Sequence, residues 1–152
     1  MKWACSSLLV LVGACSSAEN NPPSPEDQTL ARHEEAGRLA YSLDRPAEAV
    51  TQYQAALKQA EARDDLTEIS NLSFNLAVAQ LRANRPEDAL ATTARARAEL
   101  IRRGGKPFPA LLLAEATALY RTGAGTQADQ LAGEVEQEGD SDAAAGASFF
   151  VA

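Results

Sequence analysis

The sequence predicts an all-α fold, a short stack of about three helical hairpins, from two observations. Aromatic residues make up only 5% of the 152 residues and alanine is abundant after residue 30, a composition that favours closely packed helices. The segments "DRPAEAV" at 44–50 and "NRPEDAL" at 84–90 are near-copies, which indicates an internal repeat. No alternating run of β-branched and aromatic residues predicts a strand.

The chain begins with a targeting segment that we exclude from the fold. Lys2 places a positive charge at the N-terminus. Trp3–Val12 is a mostly apolar stretch that is too short to span a bilayer. Small residues then precede Cys15 in "VGAC". Cys5 lies within this segment, so its removal leaves one cysteine and no disulfide.

The stretch before Cys15 resembles a bacterial lipobox. The resemblance implies that residues 1–14 are a signal peptide and that Cys15 becomes the lipidated first residue of the mature chain. Two other interpretations stay open: ordinary secretion with cleavage after Ala18, and a cytosolic protein whose start is apolar by chance. Apart from the covalent lipid, we expect no cofactor.

Residues 15–29 are expected to be the lipidated cysteine and a flexible linker. The segment "SSAENNPPSPEDQT" holds three prolines and almost no apolar surface, which is typical of an extended tether. At ~3.3 Å per residue such a tether reaches roughly 45 Å at most.

Each repeat begins at a turn. Asp44, Asn84 and Gly123 tolerate left-handed backbone angles, which suits the end of a helix. Pro46 and Pro86 follow at first-turn positions, where a missing N–H costs nothing. The sequence therefore predicts three helix–turn–helix units within residues 30–138, the third being the weakest copy.

Small residues recur at matched distances from each turn, where they let two antiparallel helices approach closely. They are Gly37, Ala77 and Ala116 before the turns, Ala49, Ala89 and Ala128 shortly after them, and Ala56, Ala96 and Val135 further on.

The helices also carry apolar stripes at helical spacing. The second helix has Tyr53 and Leu57 in its stripe, and the fourth has Leu100 and Ile101 with Thr93 set into it. The helix over 67–83 has apolar residues on two sides, which predicts an inner helix wedged between neighbours.

These positions resemble the tetratricopeptide repeat family. The likeness rests on Gly37, Ala49, Tyr53 and Ala56 in the first repeat and on the matched small residues of the next two, and it covers about residues 30–138. The usual repeat has 34 residues, whereas the first one here has about six extra, "ARDDLT". We therefore expect its second helix to be long or to bend outward. The alternative is a plain bundle of six helices.

The segment 139–152 allows two interpretations. A short capping helix would place Phe149 and Phe150 over the exposed end of the stack. Alternatively, the two rings belong to a tail that contacts a partner. We expect the cap, because exposed paired phenylalanines would promote association.

No motif for catalysis or metal binding is present, so we expect no enzyme activity and no metal site. His33 is the only histidine. The adjacent acidic pairs Glu34–Glu35 and Asp64–Asp65 point in different directions on a helix, which favours solvated surface. The formal net charge of −7 argues against nucleic-acid binding, and we expect no small-molecule substrate.

The resemblance implies that the first helix of each repeat lines a groove that binds a protein partner. Only Asn75 matches the residues with which some relatives clamp a C-terminal carboxylate, so we predict no such clamp. The matched positions are Glu34, Arg38, Tyr41, Asn71, Phe74, Asn75, Val78, Arg82, Leu113, Thr117, Tyr120 and Arg121.

Basic residues cluster near the end of the fourth helix. They either reflect the preference of a helix C-terminus for cations or form a basic edge that steers an acidic partner. The cluster consists of Arg95, Arg97, Arg102, Arg103 and Lys106.

The sequence thus predicts a lipid-anchored adaptor or scaffold protein of the cell envelope, attached to the membrane through its lipid and binding another protein. In a Gram-negative cell, Ser16 after the cysteine resembles the pattern for the periplasmic side of the outer membrane. The alternative is a structural or envelope-stress lipoprotein that self-associates and has no dedicated peptide ligand.

Overall fold

A computed structural model describes residues 24–137, which form six α-helices and no strand within that range. This confirms the all-α prediction. The helices are α1 (Pro25–Ser42), α2 (Pro46–Ala62), α3 (Leu66–Arg82), α4 (Pro86–Arg102), α5 (Pro109–Arg121) and α6 (Gly125–Gln137).

Helix α1 starts at Pro25, earlier than the expected boundary at residue 30. The Ser24 hydroxyl accepts a hydrogen bond from the Asp27 N–H at 3.1 Å, and the Asp27 carboxylate accepts one from the Ser24 N–H at 3.1 Å. This capping box satisfies two backbone donors at once, so residues 25–29 are helical and not linker. The lipidation site predicted at Cys15 and the cap predicted over 139–152 lie outside the described residues.

The five connections between helices share one geometry. Each places a residue in the left-handed region, with the φ angles 58° at Asp44, 56° at Asp64, 58° at Asn84, 75° at Gly104 and 89° at Gly123. The next residue then donates its N–H to a carbonyl five residues back, as Arg45 does to Ala40 at 2.9 Å. This pattern is the Schellman motif, which satisfies carbonyls that the helix end leaves unpaired.

The three predicted turns are confirmed, and Asp64 and Gly104 are additional ones. These two lie between the repeats, where the sequence offers no near-copy to reveal them. Helices α2, α3 and α4 each have 17 residues, whereas α5 and α6 of the third repeat have 13. The extra residues of the first repeat extend α2 to Ala62 and form the turn after it.

Short turns make consecutive helices antiparallel. The helices α1, α3 and α5 form one layer, which we call the odd layer, and α2, α4 and α6 form the even layer. Helix α3 packs against α2, α4 and α5 and has nine buried residues, so the prediction of an inner helix is confirmed. All nine matched small residues are buried as well.

The apolar stripe predicted for α4 is wrong at one position. Leu100 is buried with Ala96 and Leu111, whereas Ile101 is 56% exposed. Consecutive residues of a helix are about 100° apart, so the two side chains cannot face the same neighbour. Thr93 is fully buried as predicted, and its hydroxyl donates to the Ala89 carbonyl at 3.0 Å.

Between residues 24 and 137, none of the helices combines the length and the apolar composition needed to cross a bilayer.

His33, at the start of the fold, is half-buried, and its Nδ1 lies 2.9 Å from Oε1 of Gln52 in α2. It therefore links the first two helices.

Candidate functional site

The predicted partner-binding residues all lie on the odd layer. Of the ten strongest candidates, none is fully buried: Arg38, Asn71, Arg82, Tyr120 and Arg121 are exposed, and Tyr41, Phe74, Asn75, Val78 and Thr117 are half-buried. Glu34 is half-buried too. Leu113 is instead buried between α5 and α6, where it packs in one apolar cluster with Val135, so it is part of the core.

Tyr41 and Arg82 are brought together although they come from different hairpins. The guanidinium carbon of Arg82 lies 4.6 Å from the centroid of the Tyr41 ring, a cation–π contact. Arg82 Nε also donates to Asp44 Oδ1 at 3.1 Å. These contacts join the end of α3 to the turn between α1 and α2.

Arg121 makes the equivalent contact one hairpin later. Its guanidinium donates to the Leu81 carbonyl at 2.6 Å and to Asn84 Oδ1 at 2.8 Å. In the even layer, Arg103 binds the turn residue Asp64 in the same way. Each time, an arginine binds a left-handed turn residue that lies 37 to 39 positions earlier in the chain.

These arginine contacts were not predicted from the sequence. The sequence does contain a signal for these contacts: an arginine follows each polar turn residue at a nearly constant distance along the chain. Arg82 and Arg121 are therefore inter-repeat links that also remain accessible on the surface.

Asn71 and Asn75 are the candidates that the fold leaves available. They lie one turn apart on α3, the central helix of the odd layer, and neither amide hydrogen-bonds to any residue between 24 and 137. A side-chain amide has donors and an acceptor that match a peptide group. The half-buried side chain of Val78 lies on the same helix, one turn further on.

Phe74 and Thr117 are committed to contacts inside the protein. The Phe74 ring meets Phe108 edge to face, with 5.9 Å between centroids and 75° between planes, and packs against the cluster of Leu100 and Leu111. The Thr117 hydroxyl donates to the Leu113 carbonyl at 2.8 Å. Phe74 thus joins the second repeat to the third.

The charges of the odd layer are unevenly compensated. Arg38 pairs with Glu35 at 2.6 Å and Arg82 pairs with Asp44 at 3.0 Å. Arg121 has no carboxylate partner within residues 24–137 and lies beside Tyr120, whose side chain is 63% exposed. The third hairpin therefore presents a positive charge next to an exposed aromatic ring.

The basic cluster at the end of α4 is mostly neutralised. Arg95 pairs with Glu61, Arg97 with Glu115, Arg102 with Glu99, and Arg103 with both Glu99 and Asp64. Hydrogen bonds from Arg102 and Arg103 lower the pKa of Glu99 to about 2. The structure favours an ion-pair network over a free basic edge, and Lys106 alone of the five has no ion pair with a described residue.

The acidic pair Asp64–Asp65 is more than solvated surface. Asp64 occupies the left-handed turn position and binds Arg103, while Asp65 caps α3 by accepting the N–H groups of Thr67 and Glu68 at 3.1 Å. In the described range, no group of three or more His, Cys, Asp or Glu side chains is arranged to hold a metal ion.

Comparison with known proteins identifies the fold. The sequence matches no protein-family model and no curated protein. The structure is similar to the TPR domain of Arabidopsis FLU, with a TM-score of 0.70 and 19% sequence identity over 75% of this chain and 97% of that one. The chain therefore has the fold of a tetratricopeptide-repeat domain, built from three helical hairpins.

Proposed function

We propose that this protein is an adaptor that binds another protein through the odd layer of its helical repeats. The observation that carries the proposal is the pair of unbonded amides, Asn71 and Asn75, in the centre of that layer. A fold similar to a TPR domain supports it.

The arrangement suits an extended peptide. Hydrogen bonds from side-chain amides to peptide groups hold a backbone without selecting its sequence, whereas exposed tyrosine and arginine are the residue types that dominate binding energy at interfaces. Tyr120 and Arg121 lie at the third hairpin. A partner segment with an acidic residue near one end fits this distribution.

The anchor is the second element of the proposal. The sequence before Cys15 supports lipid attachment, which would place the protein in the cell envelope, and on the periplasmic side of the outer membrane in a Gram-negative cell. Since α1 starts at Pro25, the link between the cysteine and the helix is residues 16–24. It would reach roughly 30 Å at most.

Affinity capture from the native envelope tests the binding surface. Asn71→Ala combined with Asn75→Ala, and separately Tyr120→Ala, should each lower partner recovery at least severalfold. The matched control is Gln127→Ala combined with Gln130→Ala on the exposed side of α6, which should recover as much as the wild type. Equal recovery by all variants would exclude the odd layer as the binding surface.

Metabolic labelling with a fatty acid tests the anchor separately. Label should enter the wild type and be absent from Cys15→Ser. Label that persists in the variant, or that never enters the wild type, would rule out the lipid anchor without affecting the binding proposal.

A self-associating protein is the second candidate, favoured by one observation. Leu39 and Leu43 lie one turn apart at the C-terminal end of α1, next to the turn of the first hairpin, and each is 55% exposed. Light scattering at rising concentration distinguishes the two functions. Self-association would be supported if the wild type forms a dimer and the double variant Leu39→Gln, Leu43→Gln stays monomeric.

A further inference from the structure

The even layer contains a cleft on the surface opposite to the proposed partner-binding face. It lies between α2 and α4, has α3 as its floor, and has a volume of about 520 Å³. That volume falls in the range of ordinary ligand pockets, roughly 300–1,000 Å³. Leu57, Ile69 and Leu76 give the cleft an apolar lining.

Two polar groups in the lining of the cleft lack hydrogen-bond partners. Ser73 is 4% exposed and Gln80 is 3% exposed. The Gln80 carbonyl oxygen accepts from the Thr92 hydroxyl at 3.0 Å, but its amide nitrogen and the Ser73 hydroxyl bond to nothing within residues 24–137. Both atoms are accessible to solvent from the cleft, so they are available to donate to the carbonyl groups of a bound segment.

The charged groups at the edge of the cleft compensate one another. Glu61 pairs with Arg95, and Asp64 and Glu99 pair with Arg103. Lys58 is exposed and has no ion pair among the described residues. A segment without charged side chains would therefore enter the cleft without breaking an ion pair.

The sequence after Gln137 has this composition. Residues 143–152 read "AAAGASFFVA" and carry no charged side chain, whereas residues 138–142 read "EGDSD" and are acidic. A segment that fits the apolar lining needs apolar side chains, and residues 143–152 include Phe149, Phe150 and Val151.

The topology places the cleft within reach. Alternating helices are parallel, so α6 ends on the same side of the stack as α2 and α4. Helix α5 packs against both α4 and α6, and packed helices lie about 8–10 Å apart, so α6 lies within roughly 20 Å of α4, which borders the cleft. The eleven residues 138–148, which connect Gln137 to Phe149, span roughly 36 Å at ~3.3 Å each, which exceeds that distance.

Charge favours the same path. A chain running from α6 towards the cleft must cross the end of α4, where Arg102 is largely exposed and Lys106 has no acidic partner. The acidic residues 138–142 would cross at this point, and opposite charges attract at short range.

We propose that segment 143–152 of this chain docks in the cleft between α2 and α4, with Phe149 and Phe150 on its apolar lining. The interaction is intramolecular and leaves the odd layer free. It does not depend on the proposed function, because it uses the other surface of the protein.

Disulfide trapping in the full chain tests the docking. In a Cys5→Ser, Cys15→Ser background purified in detergent, Lys58→Cys is paired with Phe150→Cys. The matched control pairs Gln130→Cys with Phe150→Cys, because Gln130 is exposed on α6 and closer along the chain. If the segment docks, the variant with Lys58→Cys and Phe150→Cys should form its intramolecular disulfide about tenfold faster than the control variant. Binding raises the effective concentration of the two thiols.

Equal rates, or faster oxidation in the control, would overturn the proposal. So would a covalent dimer as the main product, which would assign the cleft to a second copy of the chain. Added to the variant with Lys58→Cys and Phe150→Cys, Lys106→Glu should slow disulfide formation severalfold. Arg45→Glu, at the opposite end of the stack, should leave the rate unchanged. The same rate in both charge variants would contradict the predicted path.

A measurement without engineered cysteines guards against an effect of the Cys substitutions on folding. In the full chain, Phe149→Ala with Phe150→Ala should shift the NMR signals of the Gln80 side-chain amide and the Ser73 backbone. The signals of the exposed residue Asn71 on the odd layer should stay unchanged. Unchanged Gln80 and Ser73 signals would overturn the proposal.

Discussion

Gly37 of α1 packs directly on the ring of Tyr53 of α2: a Cβ atom added at residue 37 would lie 2.9 Å from both Cδ1 and Cε1. Tyr53 is 6% exposed and belongs to the core of the first hairpin. The close approach of the two helices therefore depends on the missing side chain. Burial also raises the pKa of the Tyr53 hydroxyl.

Gly37→Ala should destabilise the protein even though alanine is the better helix former. The change gains about 1 kcal/mol of helix propensity but overpacks the contact with Tyr53, which costs about 1–3 kcal/mol. We expect the midpoint of urea unfolding to fall. Gly133→Ala in α6 is the control, because an added Cβ there meets no atom within 4 Å, and it should raise the midpoint. A higher midpoint of urea unfolding in both variants would contradict the packing argument.

Arg121→Met should lower the free energy of unfolding by about 1–2 kcal/mol, because the hydrogen bonds from the guanidinium to the Leu81 carbonyl and to the Asn84 side chain are lost. Arg38→Met is the comparison. Its pair with Glu35 is highly exposed on both sides, so we expect a clearly smaller change in the free energy of unfolding. Chemical denaturation measures the free energy of unfolding of both variants. Similar losses in the two would show that the contact of Arg121 with the turn stabilises the fold no more than an exposed ion pair does.

Arg97 and Glu115 form a bidentate pair with both contacts at 2.9 Å, and Glu115 is 3% exposed. Arg97→Leu alone leaves a buried carboxylate without its partner, which should cost about 3 kcal/mol. Leu57 and Leu76 occupy the matching positions of the preceding repeat. We therefore expect Arg97→Leu with Glu115→Leu to be more stable than Arg97→Leu alone in thermal unfolding. A double variant less stable than the single one would refute this expectation.

Hydrogen bonds from Arg102 and then Arg103 lower the pKa of Glu99 from 4.5 to about 2. The carboxylate thus favours the folded state fully above pH 4.5, and this contribution disappears as the pH falls through about 2. Glu99→Gln should flatten the dependence of the melting temperature on pH between these values. A wild-type NMR titration that gives Glu99 an ordinary pKa would remove the basis of this prediction.

The hairpins could be predicted from the sequence because their signals are local. Asp44, Asn84 and Gly123 mark turns through their own backbone preferences, and Pro46 and Pro86 mark helix starts. Gly37 and Ala49 mark a close contact through their size. Each of these properties acts over a few residues, so a single repeated segment reveals it.

The sequence predicted the candidate surface only in part. The ten main candidates lie on the odd layer with some exposure, since helical periodicity places a residue on a helix face. Periodicity does not say which neighbour a face meets. Leu113 was expected at the surface and is buried, Ile101 was expected in the core and is exposed, and Phe74 packs on Phe108.

By itself, then, the sequence determined the fold class, the repeat and three of the five turns, because those follow from local backbone preference and side-chain size. The tertiary structure decided that Arg82 and Arg121 bind turns in the preceding hairpin, and that a cleft opens between α2 and α4. These features join residues far apart in the chain, and their geometry depends on how the helices stack, which no short stretch of sequence encodes.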